Sequence, residues 1–237
     1  MTTATTRRSF LASLAAAGAL LARRTSAAAP PKETGLSHEG LLAGKPGFQP
    51  RAPMPLPYEE LPGFLSRAQL AEHHRAYTSA FARLRQAEDG LRREDIDDRT
   101  YADLRRTQVA AGNAVLLHEL YLGGLTAHPA PPARYIEHHM TEHMGSFDQW
   151  RTDFTRCALA GRAWAVLVYD PYDDRWHDVV MDADDRGAWI GANPLVVCDV
   201  AEHAIAENTS REEHVRRFLA HVDWEEVSRR YRAVDRM

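Results

Sequence analysis

The spacing of apolar residues changes partway along this chain, and that change limits its fold class. Within residues 57–127 apolar side chains recur every three or four positions, which indicates long amphipathic helices. Beyond residue 128, shorter helical stretches are mixed with three short runs typical of β-strands. We therefore predict an α+β fold. An N-terminal antiparallel helical hairpin at 57–127 is followed by a C-terminal α/β domain at 128–237 with a small three-stranded antiparallel sheet.

The boundaries of the hairpin helices are marked by local signals. Ser66 with Gln69 three residues later forms a capping-box pattern that opens a predicted helix over 67–87. A second helix is predicted from about residue 100 to 122, before a pair of glycines. The domain after it has these predicted elements: helices at 133–143 and 146–159, strands at 163–169, 176–181 and 194–200, and helices at 201–207, 211–222 and 224–234.

The N-terminal segment is typical of an export signal. Arg7 and Arg8 precede an alanine- and leucine-rich run and a small-residue stretch, so residues 1–29 resemble a twin-arginine signal peptide. The apolar run is shorter than the roughly 20 residues that span a bilayer, so no stable membrane insertion is expected. We expect a periplasmic or extracellular protein. An uncleaved anchor and a chance basic N-terminus are the alternatives. Residues 30–56, rich in proline and glycine, are predicted to be an extended lead-in.

Charge and histidine content narrow the kinds of ligand. A formal net charge of −4 gives no general attraction to nucleic acid, and none is expected as a partner. The chain has 12 histidines, the commonest metal-ligating side chain. His73 and His118 lie on apolar helix faces, and Asp199 ends an apolar strand four residues before His203. Burying that carboxylate is costly unless it is paired or binds a cation. A hydrogen-bonded core histidine and a helix-capping Asp199 are the structural alternatives.

A second histidine pattern points to different chemistry. His139, Glu142 and His143 fit the H-x-x-E-H pattern of inverted zinc metalloproteases. On a helix this spacing puts both histidines on one face. The neighbouring residues are polar, so an exposed helix surface is the favoured interpretation.

A series of motifs resembles the iron/manganese superoxide dismutase family, in the same order along residues 56–234. The motif at 199–204 matches D-V-W-E-H-A at all positions but one. The other motifs are LPY at 56–58, EHH at 72–74, NAVLLHELYLGG at 113–124, GSFDQW at 145–150, AWAVLV at 163–168 and VDW at 222–224.

The resemblance implies a metal centre and a reaction. His73, His118, Asp199 and His203 would bind one iron or manganese ion per subunit, and Trp164 would form a wall of the site. Glu202 would contact the partner subunit's His203 in a homodimer. The implied reaction is the disproportionation of superoxide. The implied ligand is superoxide or another small anion. Iron versus manganese, and dimer versus tetramer, are left open.

Several positions depart from the family pattern close to the metal. Phe81 replaces a tyrosine, and Tyr77, which replaces a histidine one turn earlier, is a candidate for supplying the missing hydroxyl. Ala201 replaces a tryptophan. The glutamine that normally contacts metal-bound solvent is absent from its two places, Ala114 and the stretch 182–184, where Asp182 and Asp184 are the candidate substitutes. The alternatives are therefore a metal-binding protein with little or no dismutase activity and another mononuclear-metal redox enzyme.

Overall fold

Two long antiparallel helices form the first part of the structure, a computed structural model that describes residues 52–205 and 209–235. Helix α1 spans Arg67–Leu91 and helix α2 spans Asp98–Gly123. Their contacts run in opposite chain directions: Gln108 of α2 bonds Glu88 near the end of α1, and Glu119 bonds Tyr77 near its middle. The predicted hairpin is confirmed.

The capping signals act as the sequence predicted. The Ser66 hydroxyl accepts a hydrogen bond from the backbone N–H of Gln69, and the Gln69 side chain accepts one from the backbone N–H of Ser66. Asp97 caps α2 by accepting from the backbone N–H of Thr100 at 2.7 Å. Both helices therefore begin with otherwise unpaired N–H groups satisfied.

A three-stranded antiparallel sheet forms the centre of the second part. Helices α3 (Arg134–Met144) and α4 (Phe147–Ala160) lead into strands β1 (Trp164–Asp170), β2 (Arg175–Met181) and β3 (Asn193–Asp199). The strand order is β2-β1-β3, and all seven residues of β1 are buried. The register places Trp164 of β1 directly opposite Asp199 of β3. The α+β fold with a small antiparallel sheet is confirmed.

One predicted helix is wrong. In place of a helix at 201–207, the described residues form a 3₁₀ turn at Glu202–Ala204, and Ile205 is already extended. The Asp199 side chain accepts a hydrogen bond from the backbone N–H of Ala201, which holds Ala201 in an extended conformation. A local side-chain bond of this kind competes with helix formation. Residues 206–208 lie outside the described part of the chain.

Two C-terminal helices complete the fold, α5 (Arg211–Ala220) and α6 (Trp224–Val234). Arg230 of α6 is buried, and its guanidinium donates to the carbonyl oxygens of Leu120 at 2.8 Å and Leu195 at 3.0 Å. It also donates to the Glu226 carboxylate at 2.9 Å. This one side chain therefore connects α6 to both the helical hairpin and the sheet.

The predicted signal peptide, residues 1–29, lies outside the described residues, as does the lead-in up to residue 51. Residues 52–56 lie near α1, where the backbone N–H of Met54 donates to the Tyr77 hydroxyl at 2.9 Å and the Met54 carbonyl is 3.2 Å from the His74 ring. Within the described residues, none of the helices combines the length and apolar character that crossing a bilayer requires.

Candidate metal centre

The four predicted ligand residues come together at one point between α1, α2, the end of β3 and the 3₁₀ turn. His73 Nδ1 lies 3.3 Å from Asp199 Oδ2, and His203 Nε2 lies 3.7 Å from the same oxygen. With His118 included, one donor atom from each residue lies within 4.8 Å of the others. Donors on opposite sides of a metal, at bonds of about 2.1 Å, are about 4.2 Å apart. Only small side-chain shifts are needed to bring all four onto one cation.

Three of the four ligand candidates, His73, His118 and Asp199, have buried side-chain atoms without hydrogen-bond partners among the described residues. Both ring nitrogens of His73, Nε2 of His118 and Oδ2 of Asp199 have no such partner within the part of the chain that the structure describes. His73, His118 and Asp199 are at most 5% exposed. Leaving a buried polar atom unpaired costs about 1–3 kcal/mol. Unpaired donors that face one another across 3–5 Å therefore indicate that a cation is the missing partner.

The carboxylate is held in its ionised form. Complete burial alone raises the pKa of Asp199, but the neighbouring imidazoles, His73 first, then His118 and His203, outweigh that effect and lower the pKa below its ordinary value. The backbone N–H of Ala201 binds Oδ1 at 3.0 Å, so the other oxygen, Oδ2, is the one turned to the histidines. Oδ2 of Asp199 is therefore charged and oriented for metal binding before any metal is present.

His118 is fixed in a single tautomer. Its Nδ1 lies 2.7 Å from the carbonyl oxygen of Ala114, one helical turn earlier, and must donate to it. The Nε2 atom is then unprotonated and carries the lone pair that binds a metal. Burial lowers the pKa of His118, and the opposing influences of Asp199 and of the bond to Ala114 are smaller. The ring is therefore neutral at neutral pH.

Buried residues that the sequence did not single out support the ligands. His214 of α5 lies 2.8 Å, through Nε2, from the backbone carbonyl oxygen of Asp199 and donates to it. Tyr121 packs against His73 with ring centroids 5.0 Å apart. Complete burial raises the pKa of the Tyr121 phenol, which therefore stays neutral. His214 lay within a predicted helix, and nothing in its spacing linked it to Asp199, 15 residues earlier.

Trp164 packs against the ligand candidate His118. Its indole meets the His118 ring edge to face, with centroids 5.0 Å apart, and also contacts Tyr121 at 6.3 Å. The indole N–H donates to Oδ1 of Asp184 at 2.9 Å. Of the stretch 182–184, Asp184 is thus the residue whose carboxylate lies beside the metal-site tryptophan. Its backbone carbonyl accepts from the Asn113 side chain at 2.7 Å, which fixes the loop to α2.

Tyr77 and Phe81 line the buried side of α1 near His118. The Tyr77 ring is 6.4 Å from the His118 ring and 6.2 Å from Phe81. The Tyr77 hydroxyl donates to the buried carboxylate of Glu119 at 2.6 Å. Glu119 was not singled out in the sequence, although it adjoins His118. The hydroxyl proton of Tyr77 is thus directed to Glu119 and not to a ligand of the cluster.

The fourth donor residue is at the surface. The side chain of His203 is 51% exposed, and Glu202 beside it is exposed as well. The His203 ring lies 6.1 Å from the His73 ring. One edge of an otherwise buried donor set is therefore open on the side of the 3₁₀ turn.

Fold and donor set together define a protein of the class that holds one transition-metal ion at a centre of three histidines and one aspartate. Residues 132–230 match the family model described as iron/manganese superoxide dismutases, C-terminal domain. The chain is 30% identical over 191 residues to a "Superoxide dismutase [Fe]" of Methanothermobacter thermautotrophicus, an alignment covering 75% of this chain and 92% of that protein. It is 29% identical over 185 residues to "Superoxide dismutase [Mn] 2" of Haloferax volcanii, covering 76% and 93%. The chain belongs to the iron/manganese superoxide dismutase family.

Proposed function

We propose that this protein is a superoxide dismutase with one iron or manganese ion per subunit, held by His73, His118, Asp199 and His203. The observation that carries the proposal is that buried, unpartnered atoms of His73, His118 and Asp199 converge on one point with a ring nitrogen of His203. Three imidazoles and one carboxylate suit iron or manganese. Relatives that align over most of this chain are named for the same activity with iron or with manganese.

The reaction converts two superoxide anions and two protons into oxygen and hydrogen peroxide. An iron or manganese ion held by these four residues would supply the one-electron redox chemistry that the reaction requires. The chain contributes only one anionic ligand, Asp199, and three neutral imidazoles. The liganded site therefore keeps a net positive charge, which attracts a small anion. Buried Trp164 and Tyr121 limit the water that reaches the ligands.

We propose a homodimer through Glu202 and His203. His203 and Glu202 are exposed neighbours on the same turn, while the other three donor residues are buried. A second copy that covers this turn would place Glu202 within reach of the partner subunit's His203, and a carboxylate that accepts from a ligating imidazole fixes its orientation. Light scattering of the purified protein tests this. A dimer that becomes a monomer on Glu202→Ala supports it, and a monomeric wild type contradicts it.

We further propose export by the twin-arginine route, on the pattern of residues 1–29. Cell fractionation of the full chain tests it. The change of Arg7 and Arg8 to lysine together should retain the protein in the cytoplasm. An export pattern unaffected by the double change contradicts the proposal.

The decisive experiment for the activity uses protein loaded separately with iron and with manganese. Superoxide consumption is followed after a pulse of superoxide, beside the metal content of the same sample. We expect rapid consumption that is abolished, with the metal, by His118→Ala. His128→Ala, at an exposed histidine, is the matched control and should keep both the metal content and the superoxide consumption. Stoichiometric metal without consumption would assign a metal-binding role instead, and oxygen uptake that depends on an organic substrate would assign a different redox enzyme.

A further inference from the structure

A second group of donor side chains lies on α3, separate from the four-residue centre. His139, Glu142 and His143 each offer one donor atom, and these atoms lie within 4.8 Å of one another. The residues are spaced i, i+3 and i+4, so they project from the same side of the helix. The group shares no residue with the centre described above.

The two imidazoles are held in place by an aromatic platform. The rings of His139 and His143 are nearly parallel, 13° apart with centroids separated by 5.7 Å. Both stack on the buried indole of Trp176, at 6.0 Å and 5.7 Å respectively. Tyr231 meets the His139 ring edge to face at 4.7 Å. Because the rings are already ordered, a ligand that bound both would lose little conformational entropy.

The polar atoms of the group are incompletely satisfied. Nδ1 of His143 is buried and has no hydrogen-bond partner among the described residues. The Glu142 carboxylate is 3.7 Å from Nδ1 of His139, beyond hydrogen-bond distance, and the Glu142 side chain is 56% exposed. Nδ1 of His139 lies 3.4 Å from the Tyr231 hydroxyl, a long contact that a metal ion could replace. Burial is also the main cause that lowers the pKa of His139 and of His143, so the neutral, lone-pair-bearing imidazole predominates at neutral pH.

We propose that His139, Glu142 and His143 form a second metal site, which binds a divalent cation of the zinc class with water in its remaining positions. Two imidazoles and one carboxylate are a donor set that Zn²⁺ favours, and Ni²⁺ and Cu²⁺ share the preference for imidazole. Glu142 acts here as a ligand, so the proposal concerns binding and not peptide hydrolysis. It is independent of the dismutase function.

A cation bound at this site would cross-link residues in the last turns of α3 and stabilise the helix. This helix has 11 residues, and Ala133 at its N-cap offers no side-chain hydrogen bond. Short helices are marginal without added support. A cation that joins residues 139, 142 and 143 binds only the helical arrangement, and therefore stabilises it in proportion to the cation concentration.

The test is a titration of the full chain, already loaded with manganese at the four-residue centre, with Zn²⁺ at neutral pH. Calorimetry should show one additional equivalent of zinc without release of manganese. Because loss of even a residue that orients a ligand weakens metal binding about 10- to 100-fold, His143→Ala and His139→Ala should each raise the dissociation constant at least about tenfold. His128→Ala, at an exposed histidine outside α3, should leave it unchanged.

X-ray absorption at the zinc edge supplies a readout that does not depend on the stability of a variant. The wild-type spectrum should contain imidazole scattering from two histidines. The conservative His143→Gln variant should remove part of that signal while the circular dichroism remains that of a folded protein. Absence of a second equivalent, or a second equivalent retained in the His139→Ala/His143→Ala double variant, overturns the proposal. So does displacement of manganese in step with zinc uptake, which would place the zinc at the four-residue centre.

Discussion

Trp164 donates its indole N–H to the carboxylate of Asp184 at 2.9 Å, while the same ring system contacts the rings of His118 and Tyr121 at the candidate centre. The family resemblance implies a neutral glutamine among the residues near this position, whereas this chain supplies an acidic group. A negative charge near the metal favours the more highly charged, oxidised ion.

Asp184→Gln is therefore expected to raise the reduction potential of the metal-loaded protein. For charges roughly 10 Å apart at an effective dielectric constant of about 20, the interaction is on the order of 1–2 kcal/mol. That energy corresponds to tens of millivolts, which a redox titration followed by absorption spectroscopy resolves. Asp185→Asn, an exposed neighbour in the same loop, is the matched control. An unchanged potential in Asp184→Gln would show that this carboxylate does not act on the metal.

Removal of the metal should destabilise the fold, because a cation that binds only the folded protein stabilises it. At a metal concentration about 1,000 times the dissociation constant the gain is about 4 kcal/mol. We expect a chelator to lower the thermal midpoint of the wild type clearly, and to have no such effect on Asp199→Ala, which lacks the shared carboxylate. Scanning calorimetry with and without chelator makes the measurement. Equal midpoints for chelated and metal-loaded wild type would contradict the assignment of the centre.

Asp178 should make stability fall as pH rises. Burial raises its pKa to about 7 from an ordinary value near 3.8, the bond from the Trp150 indole opposes this, and Asp153 adds to it. The folded protein thus binds more protons than the unfolded chain between about pH 4 and pH 7, so stability declines across that window. The difference corresponds to roughly 4 kcal/mol.

Asp178→Asn keeps an acceptor for the Trp150 indole and removes the titration. Urea unfolding between pH 4 and pH 8 should show a flatter profile for this variant and greater stability than the wild type at pH 8. The exposed Asp185→Asn should retain the wild-type slope. A steep slope that persisted in Asp178→Asn would assign the effect to another group.

Loss of Arg230 should be strongly destabilising. Its guanidinium donates to two backbone carbonyl oxygens and pairs with Glu226, so Arg230→Ala leaves both acceptors without this donor and leaves Glu226 paired with Arg229. Leaving a buried acceptor unpaired costs about 1–3 kcal/mol, so the loss of this donor to two carbonyl oxygens is expected to cost about 2–6 kcal/mol. Arg229→Ala, the neighbouring and more exposed partner of Glu226, should cost about 1 kcal/mol or less. Urea midpoints compare the two, and similar losses would contradict the linking role of Arg230.

The sequence predicted elements well where local signals decide the structure. Ser66 with Gln69 fixed the start of α1, and the alternation of apolar runs with turns located all three strands to within one residue. The predicted helix at 201–207 was wrong over its described residues, 201–205, where the Asp199 side chain accepts a hydrogen bond from the N–H of Ala201 and a 3₁₀ turn forms. That competition depends on how Asp199 is held by the rest of the fold, which local spacing does not contain.

The candidate centre was predictable because its residues recur in family motifs, and its supporting contacts were not. The bond from Trp164 to Asp184 spans 20 residues and that from Tyr77 to Glu119 spans 42. Each depends on how a loop or a second helix packs against the first. Only the folded structure could select Asp184 over Asp182, or show that the Tyr77 hydroxyl is directed to Glu119.

Trp164 of β1 pairs with Asp199 of β3, so the ability of a molecule to bind the metal depends on the correct register between these two strands. Side chains alternate between the two faces of a strand, so a slip of one position would turn Asp199 to the opposite face and bring Cys198 or Val200 forward. A chain folded with that error could keep its helices and its apolar interior. It would nevertheless stay empty of metal, and the fraction of molecules that load would count those whose strands had aligned correctly.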